Sequence, residues 1–285
     1  MTRPDIAILC WNIQFGLGLD GRIDLPRIAA TCRAFGDADV LCFQEVSDGF
    51  GDLAPDAAAD QAAGLAALFP DHAPVFLPAV DRPGPTRRRR FGNMILSRLP
   101  VLDVVAHALP RPADPTVIHM QRHAIEATLA LGDAALRVVT THLEFHSPAQ
   151  RLAQAERLMA LEAEWRGRIA APAPAGKGPY AGLPGALGTV LCGDFNFPVT
   201  EPGYAALTGA GGGFVDAWTA LHGARPHDPT CGVHDRAQWP EGPHARDFVF
   251  LSPALVPRLT GLAVDTVTDA SDHQPLLLTL APVRP

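Results

Sequence analysis

This sequence has no long apolar run, no cysteine framework and no basic excess, and each absence narrows what the chain can be. Nothing in its 285 residues approaches the roughly 20 consecutive apolar residues that a membrane helix needs. The opening segment, MTRPDIAILCWNIQFG, has an apolar run only from Ile6 to Trp11, short for the core of a secretory signal. The cysteines are Cys10, Cys32, Cys42, Cys192 and Cys231, odd in number and irregular in spacing, which argues against a disulfide framework. No CxxC pair suggests a zinc site, and the expectation is a reducing, cytoplasmic location. Lys and Arg number 23 against 30 Asp and Glu, a formal charge of −7. A general nucleic-acid binder with a broad basic surface is thereby disfavoured, although a local basic patch is not.

What is present is the composition of a globular protein, 47% hydrophobic and 19% charged. The reading is one catalytic domain over residues 1–285. Short apolar runs expected to be strands recur at 6–11, 39–45, 91–97, 101–109, 122–131, 134–145, 189–193, 247–251 and 273–280. The segment 122–131 alternates apolar and polar residues as a half-buried strand does. Helices are expected at 24–35, capped by Asp24, at the Ala-rich 56–69, and at 147–170 with Ser147 as cap and Pro148 first in the helix. Residues 171–188 read as a Pro/Gly-rich surface loop, and 221–246 as a long His- and Pro-rich loop, a length often functional. Hairpins mixed with parallel crossovers imply α/β layers, and the number of strands suits two packed mixed β-sheets flanked by helices.

Polar residues gather where these runs end. The stretch TVLCGDFNFPVT runs apolar through Cys192, breaks at Gly193, and then offers Asp194 and Asn196 on one side with Phe195 on the other. The same pattern sets Asn12 after the first strand, Glu45 after the second and His142 after VVTT. It also sets Asp247 at the start of RDFVF, and Asp272 with His273 before the last strand. Four of these eight residues are carboxylates, and a shared pocket would raise some of their pKa values or call for a cation. Oxygen donors without thiolates suit Mg²⁺ or Mn²⁺, which bridge to phosphate oxygens, so the set points to metal-assisted phosphoryl hydrolysis.

The ordered motifs WNI, QE, THLE, GDFN, RDFVF and SDH resemble the endonuclease/exonuclease/phosphatase superfamily, whose fold is also called DNase I-like or exonuclease III-like. The resemblance spans residues 5–281 and implies a four-layer α/β sandwich. It implies Glu45 as the principal metal ligand, with Asn12 and Asp272 beside the ion directly or through water. Asp194 resembles the residue that orients and deprotonates the attacking water, and Asn196 one that positions that water or a phosphate oxygen. His273 resembles the histidine that stabilises the pentacovalent transition state, and Asp247 its orienting partner. His142 matches a position where family phosphodiesterases often carry His and some DNA-repair members Tyr.

Blander readings compete residue by residue. Asn12 suits a turn, Glu45 a helix cap, Asp194 with Asn196 an Asx-turn, and Asp272 with His273 a solvated loop. The run Arg87 to Arg90 reads either as a solvated loop or, through Arg90, as a grip on substrate phosphates. Arg122 is either a surface residue at a strand start or a substrate contact. His222, His227, His234 and His244 with Cys231 match no standard zinc spacing and read as a solvated or lid loop. The expected activity is Mg²⁺- or Mn²⁺-dependent hydrolysis of a phosphoester in a small phosphorylated molecule or lipid headgroup. A nuclease acting on DNA or RNA stands second, and an inactive binding module of the same fold third.

Overall fold

Side-chain alternation along β1 (Ile6–Asn12) sets the plan of the molecule. Ile6, Ile8 and Cys10 face a second sheet, while Leu9 and Trp11 face α1 (Leu25–Phe35) and α2 (Gln61–Leu68). The computed structural model describes residues 5–282 except 55, 56, 58, 175 and 210–212. The first sheet also contains β2 (Val40–Asp48), β3 (Ala73–Pro83) and β4 (Arg88–Ser97). Its last two strands are β11 (Leu259–Val264) and β12 (Leu276–Leu280), and its order is β11-β12-β1-β2-β4-β3. The second sheet comprises β5 (Val101–Ala108), β6 (His123–Leu131), β7 (Ala134–His142), β8 (Ala186–Asp194), β9 (Val215–Asp216) and β10 (Asp247–Leu251). Its order is β5-β6-β7-β8-β10-β9. Each sheet is mixed, with one parallel pair, β1/β2 or β7/β8, among antiparallel neighbours.

Helices α3 (Pro148–Ala170) and α4 (Pro202–Thr208) cover the outer face of the second sheet, and α5 (Ala217–His222) follows β9. The result is the expected four-layer α/β sandwich. Between the sheets, Ile8, Cys10, Val40 and Cys42 meet Ile125, Val138, Val190 and Cys192 in one apolar core. Outside, Leu158 and Leu161 of α3 pack on Val139, Leu191, Phe248 and Phe250. Ser147 caps α3 by accepting from the Gln150 amide, and Asp24 caps α1 by accepting from Arg27. No helix of the described residues is long and apolar enough to cross a membrane.

Several expectations need correction. The edge strand β3 was not anticipated, because Pro74, Pro78 and Pro83 speak against a strand interior; the outermost position in a sheet tolerates them. Helix α2 starts at Gln61 behind an Asp60 cap, later than 56, and residues 56 and 58 lie outside the described residues. β6 is buried on both faces rather than one. Its polar outer residue Glu126 is covered through ion pairing with Arg137, which also binds Glu162 of α3 at 2.8 Å. Arg88 to Arg90 belong to β4 and are not a loop.

Candidate active site

The parallel pairs bring four strand ends to one mouth between the sheets. In β1, Asn12 shares the inward face of Ile8 and Cys10; in β8, Asp194 shares that of Val190 and Cys192. His142 ends β7 directly beside Asp194. Glu45 breaks the alternation, since strict period two would set it on the face of Phe43, towards the helices. A register shift between Phe43 and Val46, with φ 60° at Glu45, turns it instead to the mouth. Asp247 opens β10 opposite Asp194, and Asp272 and His273 precede β12. Gly193 is required for this packing. At φ 153° its missing Cβ would stand 2.0 Å from the Thr141 carbonyl oxygen, so only glycine lets β7 and β8 run together up to the site.

The mouth is a cavity of about 260 Å³ lined by Glu45, Asp194, Asn196, Asp272, His142, His273 and Arg122. Gln14, Phe15, Phe91, Met120, Phe145, His146, Gln238 and Trp239 complete the wall. Among the described residues, the non-glycine residues with positive φ are Gln14, Phe15, Glu45 and Asn196, and all four line this cavity. Such strain persists where surrounding contacts over-determine it and clusters at functional sites. Gln61, fully buried in α2, supplies one such contact. Its side-chain amide donates to the Phe15 carbonyl at 2.6 Å, and its oxygen accepts from the Ser47 amide at 3.0 Å.

Asn12 lies behind the cavity wall and organises it. Its Nδ2 donates to Glu45 Oε1 at 3.1 Å and to Asp194 Oδ2 at 2.9 Å, while its Oδ1 accepts from the Gln14 amide. That carbonyl oxygen is therefore engaged, and Asn12 holds two carboxylates rather than facing the cavity. Asp194 Oδ1 accepts from the Asn196 amide at 2.9 Å. Burial works to raise the Asp194 carboxyl, but the charged His273 imidazole and the hydrogen bonds from the Asn12 side chain and the Asn196 backbone amide hold it below the usual carboxylate range. His273 Nδ1 lies 2.8 Å from Asp247 Oδ2, and its Nε2 lies 3.7 Å from Asp194 Oδ2. Burial opposes a charge on His273, yet the Asp247, Asp272 and Asp194 carboxylates keep it well above the usual imidazole range. His142 is driven the other way, by burial and then by Arg122, so it stays neutral 3.4 Å from Asp194.

Glu45 carries repulsion that the Asn12 amide and the His273 charge relieve only in part. Burial, then the Asp272 and Asp194 charges, push its carboxyl up to about 7, and Asp272 is raised as well, chiefly by burial. A cation between them would remove that penalty, and a thiolate-free oxygen set fits Mg²⁺ or Mn²⁺. Ligand atoms of Asp194, Asp247 and His273 also lie within 4.8 Å of one another. There, however, the ring is already bonded to Asp247 at Nδ1, which leaves only Nε2 directed towards Asp194.

Arg122 faces the cavity while nearly fully buried. Its Nε donates to Glu144 at 3.3 Å and its Nη1 has no protein partner. Arg90 does not reach the cavity. It pairs with Asp48, which also binds Arg87 at 2.5 Å, while Arg88 binds Asp81 at 2.6 Å and Arg89 binds Asp52 at 3.1 Å. Each arginine of the run is thus paired with an aspartate, and Arg90, expected as a phosphate contact, is not among the residues lining this cavity. The long loop contributes residues that the sequence did not single out. Gln238 Nε2 donates to Asp272 Oδ2 at 2.9 Å, and Trp239 stands edge-on to His273 with ring centres 5.9 Å apart. In the same loop His227 binds Asp216, His234 the Thr266 carbonyl, and His244 lies 3.1 Å from Cys231 Sγ.

A model of the endonuclease/exonuclease/phosphatase family matches residues 9–273. No curated protein sequence matches the chain significantly. Among solved structures, the endonuclease/exonuclease/phosphatase from Bacteroides vulgatus is similar at a TM-score of 0.69 and 19% identity, over 99% of this chain and 100% of that one. A mannosyl-6-phosphatase from Bacteroides thetaiotaomicron gives 0.66 and 17%, over 96% and 98%. D. rerio TDP2 in complex with a single-stranded DNA product gives 0.64 and 17%, over 97% and 99%. At these identities the structures speak to the fold alone, while the family model spans nearly the whole chain. The chain belongs to the endonuclease/exonuclease/phosphatase family.

Proposed function

We propose that this protein hydrolyses a phosphoester of small size, a diester or monoester, by in-line attack of water with Mg²⁺ or Mn²⁺ as cofactor. The observation that carries the reading is the meeting of an ionised Asp194, a charged His273 held by Asp247, and the Arg122 guanidinium at one cavity. Glu45 and Asp272 would hold the ion, which when bound supplies positive charge against the phosphoryl oxygens.

The chain's own residues divide the remaining work. Asp194, fixed through Asn12 and the Asn196 amide, orients the attacking water and takes its proton. His273, oriented by Asp247 at Nδ1, directs its Nε2 proton at the oxygen that gains charge in the transition state. Arg122 and His142, which both line the cavity, bind non-bridging oxygens. One N–H of Asn196 is tied to the Leu143 carbonyl at 3.0 Å, which fixes the amide for contact with the water or a phosphoryl oxygen.

A small substrate is favoured over a polynucleotide by charge. The formal charge is −7, and the arginine run that would track a phosphate backbone is paired with aspartates. A panel of bis-p-nitrophenyl phosphate, p-nitrophenyl phosphate and DNA, each with Mg²⁺ and with chelator, tests this reading. Turnover of a small ester that chelator abolishes is expected. Turnover insensitive to chelator removes the metal, faster cleavage of DNA with a steep salt slope makes the protein a nuclease, and no turnover at all leaves a binding module.

A further inference from the structure

The aromatic rings around the cavity have no part in the hydrolysis described above. Phe15 and Phe91 come from the first sheet's side, and Phe145 and Trp239 from the second sheet's; Met120 adds a flexible apolar side chain. Each side is braced from behind. Phe91 meets Phe50 edge-on at 6.3 Å, and Arg89 lies over Phe50 at 4.8 Å. Phe145 meets Trp239 edge-on at 6.0 Å, and Arg246 lies over Trp239 at 4.9 Å. Arg246 is itself fixed, donating to His244 Nε2 at 2.8 Å and to the Asn196 carbonyl at 3.0 Å.

Two features indicate that these rings are placed for a ligand. Phe145 keeps 39% of its surface exposed, although the apolar face of Trp239 lies beside it. Phe15 holds φ 44° and ψ 32°, a left-handed conformation rare for an aromatic residue, with Gln61 clamping its carbonyl. A glycine there would relieve the backbone, and Gly16 follows immediately. The structure maintains strain to keep a ring at the cavity wall. Among the described residues that line the cavity, Arg122 is the one permanent cation, enough for one phosphoryl group but not for a strand.

We infer that the site selects phosphoesters whose ester group is flat and apolar, received between Phe15 and Phe91 on one side and Phe145, backed by the buried Trp239, on the other. The inference rests on the phosphoester reading for the position of the phosphoryl group. It adds that the aromatic wall, and not a basic track, recognises what the phosphorus carries. Aromatic side chains grip planar groups by offset and edge contacts beyond simple area burial.

Unreactive phosphonates separate recognition from hydrolysis. Binding of phenyl-, cyclohexyl- and methylphosphonate would be measured by calorimetry in the presence of Mg²⁺. Phenylphosphonate is expected to bind roughly tenfold more tightly than methylphosphonate, with cyclohexylphosphonate between them. Phe145→Ala, a change at an exposed lip residue, and Phe91→Leu should each reduce the phenyl-to-methyl ratio to about two. Equal affinities in the parent protein, absence of binding by all three, or an unchanged ratio in both variants would overturn the inference. Turnover of bis-p-nitrophenyl phosphate is read alongside. Loss of turnover with the phenyl preference intact refutes the hydrolase and leaves the aromatic wall standing.

Discussion

His123 should make the protein acid-sensitive between about pH 6.5 and pH 4. It opens β6 with 5% of its surface exposed. Burial, opposed by a bond to the Leu77 carbonyl and aided by the neighbouring Arg122, depresses its imidazole from 6.5 to about 4. Its Nε2 has no partner that could stabilise a proton, and His142 on the adjacent strand adds no compensating anion. At pH 7.5 His123 is almost wholly neutral in both folded and unfolded chains and contributes little to the slope. Below pH 6.5 the unfolded chain takes a proton that the folded chain refuses until the pH nears 4. The unfolded state then binds more protons, so stability falls as pH falls. At roughly 1.4 kcal/mol per tenfold difference in proton affinity, the loss reaches about 2 kcal/mol at pH 5 and about 3 kcal/mol below pH 4. That is a large part of a typical folding free energy of roughly 5–15 kcal/mol. Gln at this position keeps a donor for Leu77 and cannot charge. Urea unfolding of the parent and of His123→Gln, from pH 7.5 to 4.5, isolates the contribution, because every other titrating group is common to both. The variant should start roughly 1–2 kcal/mol less stable at pH 7.5 and draw level with the parent near pH 5. Parallel profiles across that range would refute the reasoning.

Asp194→Asn should lower turnover of a small phosphodiester by at least roughly a hundredfold, because it removes the base while keeping the side chain's shape; unchanged far-UV circular dichroism confirms the fold. An active variant would remove Asp194 from its proposed role. Gly193→Ala should cost several kcal/mol in thermal unfolding, on the order of 3 or more, since the new Cβ collides with the Thr141 backbone and cannot be accommodated by a side-chain rotation. Arg88→Gln, which breaks a pair exposed on both sides, should change stability by no more than about 0.5 kcal/mol and leave kcat/KM for a small diester unaltered. A large rise in KM would restore the arginine run as a substrate contact.

The arrangement of the site was legible where local rules carry through to the strand end. Asn12, His142 and Asp194 sit on the inward face because period two continues unbroken from Cys10, Thr140 and Cys192. Glu45 was found by its position after an apolar run, but what turns it to the cavity is a bulge that alternation does not encode. The arginine run stayed open between two readings because its partners, Asp48, Asp52 and Asp81, are brought to it by strand pairing and loop packing beyond a local window. Phe15, Gln61, Gln238 and Trp239 escaped attention for a related reason. Ring placement by a left-handed residue and clamping by a distant amide leave no periodic signal, and only the length of the 221–246 segment marked part of that wall in advance.

The two charge clusters of this protein show where function, rather than stability, shaped the chain. Around β4 each arginine meets an aspartate, so opposite charges are matched close to where they arise. At the mouth the opposite holds. Glu45, Asp194 and Asp272 line one cavity, with Glu45 driven up to about 7, beside backbone turns that non-glycine residues rarely adopt. Replacing one of these acids by an amide and the left-handed residues by glycine would relax both penalties without disturbing the apolar core between the sheets. On the proposed function, a chain that keeps them accepts a less stable empty cavity in exchange for one whose repulsion would be released when a cation and a phosphoryl group enter together. Local rules fail here at adjoining positions of one cavity, and that concentration, more than any single motif, distinguishes a working site from a turn, a cap or a solvated loop.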